Sequence, residues 1–260
     1  VWDLGAYNFV AGASPDTVHP SLWRHIGLLR KHGLFKVADR VWQVRGFDIS
    51  NMTLIAGKTG WIVIDPLTTR ETAAAALELA NQQLGQRPVT AIVYSHSHGD
   101  HYGGVRGIVN EVEVKAGKVT VFAPEHFITE AVSENVIAGS AMGRRATFQF
   151  GTALKPGPQG QIGSGIGPAL SSGEITLIAP TNTIAWTGEK RTVDGVELEF
   201  QIVSGSEAPS ELNIYIAPAR TFLSSEMSTC SMHNILTPRG AKVRDTRAWA
   251  GFLDEAARLY

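Results

Sequence analysis

Three of the chain's eight histidines fall within six residues, in the run His96-Ser97-His98-Gly99-Asp100-His101. The run follows a β-branched stretch over residues 89–94 that reads as a buried strand. In extended chain, residues i and i+2 face the same side, so the imidazoles of His96 and His98 can reach one metal ion. Gly99 lets the chain turn, and Asp100 and His101 can then reach a second ion close to the first. Imidazole and carboxylate donors without thiolate suit Zn²⁺ or a similar divalent ion. Two such ions a few ångströms apart can share a water, acidify it and clamp a substrate oxygen, which is the chemistry of metal-assisted hydrolysis. The bland alternative is a polar loop with scattered histidines. The strand-end position and the flanking Gly103-Gly104 argue against it.

The elements that must position this run are legible around it. Strands are expected over Val41–Arg45, 52–55 and 61–65, joined by tight connections. Thr68 to Glu71 has capping-box spacing, and the Ala-rich run to Leu84 reads as a helix closed by Gly85. After the histidines, a helix following Gly103-Gly104 and a strand over 119–122 complete a β-α-β-loop-α-β order. Residues 125–145 read as helical. Residues 155–173, dense in Gly, Pro, Ser and Gln, read as a long loop of the functional or mobile kind. Further strands are expected over 174–178, in a type I′ hairpin around Asp194-Gly195, and over 212–216 and 221–223. An amphipathic helix is expected over 245–260, with Trp249, Phe252, Leu253, Ala256 and Leu259 or Tyr260 on one stripe. The opening, to about Lys31, reads as irregular. Strands with interleaved helices in both halves suggest two packed sheets with helices outside.

Composition bounds the rest. In 260 residues, 43% are hydrophobic, so a sizeable core is available. A net charge of −1 gives no electrostatic reason to expect nucleic acid or an anionic membrane as partner. No apolar run reaches 18 residues, so no membrane insertion is expected. The single Cys230 excludes an internal disulfide and a zinc-thiolate cluster, and reads as a packed small residue. The chain opens on Val1 without a basic-then-apolar leader, so a processed or excised piece is expected.

The strand ending at Asp65, the helix after it and the His-x-His-x-Asp-His run resemble the metallo-β-lactamase superfamily. Within it, the chain is similar to the zinc-dependent alkylsulfatases, which hydrolyse long-chain alkyl sulfates such as dodecyl sulfate. That likeness is carried by residues 46–53 (GFDISNMT), 59–67 (TGWIVIDPL), 130–136 (EAVSENV), 141–146 (AMGRRA), 207–213 (EAPSELN) and 237–245 (TPRGAKVRD). The resemblance implies an α/β fold, an αββα sandwich of two mixed sheets with helices outside. It implies two Zn²⁺ per site, with Glu207 completing the set around His96 and His98 and Glu226 as a bridging carboxylate beside Asp100 and His101. The family's last histidine ligand lies beyond the helix that starts near Asp245, past the end of this sequence. Either this chain is a fragment, the favoured reading, or a partner piece supplies that ligand. The family's dimerising helical region and C-terminal lipid-binding-like domain are also absent from these 260 residues; a homodimer and a periplasmic or secreted location are expected of the whole protein.

Other residues carry two readings each. Asp65 is either a partner that orients a ligand histidine or a cap before the helix. Arg239, in a Pro-Arg-Gly turn that reads as rigid and exposed, has a guanidinium fork that matches a sulfate; it resembles the family's sulfate-binding arginine, against a plain surface arginine. His233 or Asn234 could contact the sulfate or protonate the departing oxygen, and His233 could instead be a buried structural histidine. Asn135 and Arg144 are expected at the substrate, the latter as part of an anion funnel or as half of a solvated Arg144-Arg145 pair. His19, His25, His32 and His126 lack partner spacing and read as structural. The implied reaction is hydrolysis of a sulfuric ester to alcohol and sulfate, with attack at sulfur or carbon left open. The rivals are another hydrolase of the same fold, acting on a lactam, thioester or phosphoester, and a binding module with structural metals. Structural zinc sites are normally closed by four ligands, often thiolates, which this run does not offer.

Overall fold

In the computed structural model, residues 2–229 and 232–260 are described, so the reading of Cys230 lies outside the described residues. Among the described residues, eleven strands form two sheets. The larger, in the order β1 (Gly33–Ala38), β2 (Val41–Arg45), β3 (Met52–Ala56), β4 (Trp61–Ile64), β5 (Val89–Val93), β6 (Thr120–Pro124) and β7 (Asn182–Ile184), is mixed. Its first four strands are antiparallel and its last four parallel. The smaller contains β8 (Glu189–Val193), β9 (Val196–Ile202), β10 (Leu212–Ile216) and β11 (Thr221–Leu223). It is antiparallel throughout, so only one of the two sheets expected to be mixed is so.

Alternation along the strands builds the layers. Ile62 and Ile64 of β4 and Ala91 and Val93 of β5 face Leu198, Phe200, Leu212 and Ile214 of the smaller sheet. Trp61, Val63 and Ile92, on the opposite side, pack under helix α2 (Arg70–Leu84) through Ala73, Ala76 and Ala80. Strands buried on both faces read as continuous apolar runs, as β4 and β5 do. The outer face of the smaller sheet is covered by helix α6 (Thr246–Leu259), whose Trp249 and Ala256 pack with Val203 and Met227. The order is therefore helix, sheet, sheet, helix. Among the described residues, no helix is long and apolar enough to cross a membrane.

Several local expectations change. Residues Pro20–Leu29 form helix α1 in the segment read as irregular, with His19 as N-cap and Pro at the first turn, where its missing N–H costs nothing. Thr69, not Thr68, caps α2, in a box with Thr72. The helix after Gly103-Gly104 is a 3₁₀ turn, Val105–Gly107, followed by a short α3 (Glu111–Lys115). Residues 174–178 join no ladder; Glu174 accepts from Arg70 N (2.9 Å) and Thr176 donates to Gly103 O (2.7 Å), so their backbone groups go to α2 and the glycine turn. The helical stretch after Pro124 is broken into α4 (Phe127–Val132), a π turn Ser133–Ile137, and α5 (Gly139–Phe150). The hairpin turn has positive φ at both Asp194 (43°) and Gly195 (79°), as type I′ requires.

Candidate metal centre

The two sheets meet at the histidine run. Beyond β5, Ser95 O accepts from Leu212 N (2.8 Å) and Ser97 N donates to Ser210 O (3.2 Å), tying the run to the start of β10. His96 is thereby extended and its ring stands 4.8 Å from that of His98, in edge contact. The chain then tightens into a 3₁₀ turn, Gly99–His101, which swings the His101 ring to 3.8 Å from His96. Gly104 lets this turn pack: a Cβ there would collide with the carbonyl oxygen of Pro66.

Each run histidine has one ring nitrogen held from behind and the other turned to a common centre. His96 Nδ1 lies 2.9 Å from Ser95 Oγ. His101 Nδ1 lies 2.8 Å from Asp65 Oδ2. His98 Nε2 lies 3.5 Å from Glu134 Oε2 and 3.4 Å from Arg244 Nη2. Toward the centre, His98 Nδ1 is 2.9 Å and His96 Nε2 3.4 Å from Glu207 Oε2. His101 Nε2 is 3.2 Å from Asp100 Oδ2. Glu226 Oε2 lies 3.7 Å from His96 Nε2 and 3.8 Å from His101 Nε2, between the two groups. One potential donor set is His96, His98, Glu207 and Glu226; another is Asp100, His101 and Glu226.

These donors fit metal ions. His96 Nε2 and His101 Nε2 are buried without a hydrogen-bond partner, and Glu207 Oε2 has the His98 ring beside it at 2.9 Å; buried polar atoms are normally satisfied, and an ion at the centre would satisfy these. Separations of 3.2–3.8 Å are long for hydrogen bonds. They match the edge of a tetrahedron of ligands, about 3.3 Å at ordinary zinc–nitrogen distances. The four residues that the resemblance adds or reuses around the run, Glu207, Glu226, Asp100 and His101, are thus brought together with His96 and His98.

Electrostatics shows what the donors do with protons when no ion is bound. Burial and the neighbouring His101 hold His96 well below the usual imidazole range. Burial also pulls His98 down, but Glu207 and Glu134 overcome it and raise its pKa to about 10. His101, buried, is lifted well above the ordinary value by Asp100 and Asp65. Burial and Glu207 push Glu226 up. Burial opposes ionisation of Glu207, yet His98 and His233 hold it well below the carboxylate range. A group of histidines sharing protons with carboxylates is what a divalent ion displaces on binding.

His233 and Asn234 both sit on Glu207: His233 Nε2 is 2.9 Å from Glu207 Oε1, and Asn234 Nδ2 donates to the same oxygen. Arg239 lies beside them, with Nη1 donating to Asn234 Oδ1 (2.9 Å) and Nη2 to Glu134 Oε1 (3.0 Å). Its side chain is only 14% exposed, so the turn that reads as exposed carries its arginine inward. Asn135 is exposed, and its Nδ2 donates to Ala131 O within its own turn, with Oδ1 near Gly99. Arg144 is exposed on α5, and no hydrogen bond or ion pair ties it to the donors among the described residues. His19, His25, His32 and His126 join neither donor set; His19 caps α1 and His25 bonds Gly165 O.

Sequence reasoning missed Glu134, Glu211 and Arg244. Arg244 is buried, donating through Nε to Glu207 O (2.7 Å). Glu211 accepts from Glu207 N, Ala208 N and Ser206 Oγ, shaping the turn that presents Glu207. A buried acid that collects backbone N–H groups leaves no spacing signature.

The metallo-beta-lactamase superfamily model matches residues 45–257. The chain is 48% identical over 262 residues to a linear primary-alkylsulfatase of Pseudomonas sp, covering 100% of this chain and 39% of that protein. It is 49% identical over 257 residues to Alkyl/aryl-sulfatase BDS1 of Saccharomyces cerevisiae, covering 98% and 40%. The solved structure of the stereoselective inverting sec-alkylsulfatase Pisa1 from Pseudomonas sp. superposes with a TM-score of 0.97 at 50% identity, covering all of this chain and 41% of that one. The chain thus spans about 40% of the length of the relatives it matches. With donors from both sheets converging where that family model runs unbroken, the chain belongs to the metallo-β-lactamase superfamily.

Proposed function

We propose that the protein hydrolyses alkyl sulfate esters, R–OSO₃⁻ plus water giving R–OH and hydrogen sulfate, at a centre holding two Zn²⁺ ions. The observation that carries this reading is the inward Arg239, half-buried between Asn234 and Glu134 and one residue, Asn234, away from the carboxylate of Glu207. A guanidinium beside a cation-binding centre selects an anionic head group and offers it planar, directional donors. The names of the relatives that match this chain along its whole length, alkylsulfatases and an alkyl/aryl-sulfatase, support the same substrate class.

In this reading His96, His98, Glu207 and Glu226 hold one ion, and Asp100, His101 and Glu226 the other. Ions held there supply Lewis acidity, which acidifies water and withdraws charge from an ester oxygen. The chain's own residues do the remainder. Asp65 keeps the His101 proton on Nδ1, so Nε2 faces the centre. Asn234 and His233 hold Glu207 Oε1, leaving Oε2 for the ion. Arg239 orients the sulfate, and Asn135, over Gly99, borders the approach. The test is sulfate release from dodecyl sulfate by the full-length protein, with zinc content measured in parallel. Release that stops on chelation and returns with Zn²⁺ is expected. A zinc-loaded protein that leaves alkyl sulfates intact would overturn the reading.

A further inference from the structure

Two of the three run histidines have an obvious group behind them. Ser95 stands behind His96 and Asp65 behind His101. The third, His98, turns Nδ1 toward Glu207 (2.9 Å) and Nε2 away from the centre, toward Glu134 and Arg244. For Nδ1 to present a lone pair, Nε2 must carry the proton. Arg244 cannot accept that proton, since a guanidinium offers donors only. Glu134 Oε2, in ion-pair contact at 3.5 Å, is the acceptor within reach on that side. Its other oxygen, Oε1, accepts from Arg239 Nη2 at 3.0 Å. The carboxylate is 12% exposed and lies in the π turn Ser133–Ile137, a helical irregularity that recurs at functional sites.

We propose that Glu134 is a positioning residue that fixes the His98 tautomer for metal binding and, through its second oxygen, couples the metal centre to Arg239. One carboxylate then spans two contacts: it orders a ligand behind the ion, and it holds the Arg239 guanidinium. The proposal rests on the donors being a metal centre, as in the preceding reading, but not on what the substrate is.

The test uses zinc affinity of the full-length protein, measured by competition with a chromogenic chelator, so that failure of alkyl sulfate hydrolysis leaves it intact. Glu134→Gln keeps the shape and removes the charge. Its zinc affinity is expected to fall by roughly 10- to 100-fold, the range for partners behind metal-bound histidines, with the circular dichroism spectrum of the zinc-free protein retained. Arg239→Ala, which touches none of the donors directly, is expected to weaken zinc binding when Glu134 is present. In the Glu134→Gln background it should change affinity by less than about twofold, the scatter of independent sites. A merely structural Glu134 would lower stability without this pattern. Should Glu134→Gln fail to fold, nitrogen NMR of histidine-labelled, zinc-loaded unsubstituted protein decides: protonated Nε2 on His98 is expected. Zinc affinity within threefold of the unsubstituted protein in Glu134→Gln, additive effects of the two substitutions, or a His98 protonated on Nδ1 would each overturn the proposal.

Discussion

Asp65 sits at φ 57°, in the left-handed region, so its backbone aims the side chain back across the end of β4. There Oδ1 accepts from Ser95 N (2.7 Å), and Oδ2 from Ser95 Oγ (2.6 Å) and the His101 ring (2.8 Å). Of its two sequence readings, a partner for a histidine or a helix cap, the geometry carries the first; Thr69 is the cap. Asp65→Asn tests it cleanly, because asparagine tolerates positive φ and keeps the size. Zinc affinity at the His101 site is expected to fall about 10- to 100-fold by chelator competition, and an unchanged affinity would contradict the assignment. His98→Ala is the sharper case: loss of a donor at the centre should abolish hydrolysis with the circular dichroism spectrum retained, and activity at the level of the unsubstituted protein would refute the site. Arg239→Ala should lower kcat/KM for dodecyl sulfate by roughly 10- to 150-fold, from about 1.5–3 kcal/mol for a charged hydrogen bond. At this scale the run itself was legible because ligands two apart on a strand announce themselves. Glu134 was not, since its contact with Arg239 spans 105 residues.

At the scale of elements, the site depends on how closely the 3₁₀ turn after His98 packs on the start of α2. Gly104 N donates to Leu67 O (2.9 Å), and a Cβ on Gly104 would meet the oxygens of Pro66 and Thr69 and the methyl of Ala73. These are backbone atoms and a buried helix face, with no flexible side chain to yield. Gly104→Ala should therefore destabilise by about 1–3 kcal/mol, as overpacking typically does, and shift the urea midpoint accordingly. A loss under about 0.5 kcal/mol would show that the turn can move. The strands flanking this turn were readable because β3 to β5 are largely buried and, Thr53 and Thr90 apart, apolar. The elements that escaped are those whose partners are remote. Edge strand β1 is half-exposed and shows no clean alternation, and residues 174–178 look strand-like yet spend their hydrogen bonds on Arg70 and Gly103. The break at residues 133–137 coincides with the site: the π turn carries Glu134, which contacts Arg239 and His98, contacts no helical periodicity encodes.

For the molecule as a whole, the centre is a proton reservoir when metal is absent, and this gives stability and metal binding opposite pH trends. The pKa of His98 is raised to about 10 and that of His233 to about 9, against burial, by Glu207, Glu134 and Glu226. An unfolded histidine titrates near 6.5. A group whose folded pKa is raised adds stability that is fully present below its unfolded pKa and is lost as pH rises through the folded one. The zinc-free protein should therefore lose stability from these two groups between about pH 6.5 and 10. Zinc must displace the proton shared by His98 and Glu207, so its apparent affinity should rise over the same interval, by about tenfold per pH unit for each proton released. The stabilisation conferred by saturating zinc then grows as the zinc-free protein weakens, because a ligand that binds only the folded state adds RT ln(1 + [L]/Kd). Thermal unfolding with and without zinc at pH 6.5, 7.5 and 8.5, together with chelator competition at each pH, measures both trends. A zinc affinity flat across that range would mean that no shared proton is displaced and that His98 does not bind the ion. Affinity that rises while the zinc-free midpoint stays constant would place the displaced proton elsewhere than on these two histidines.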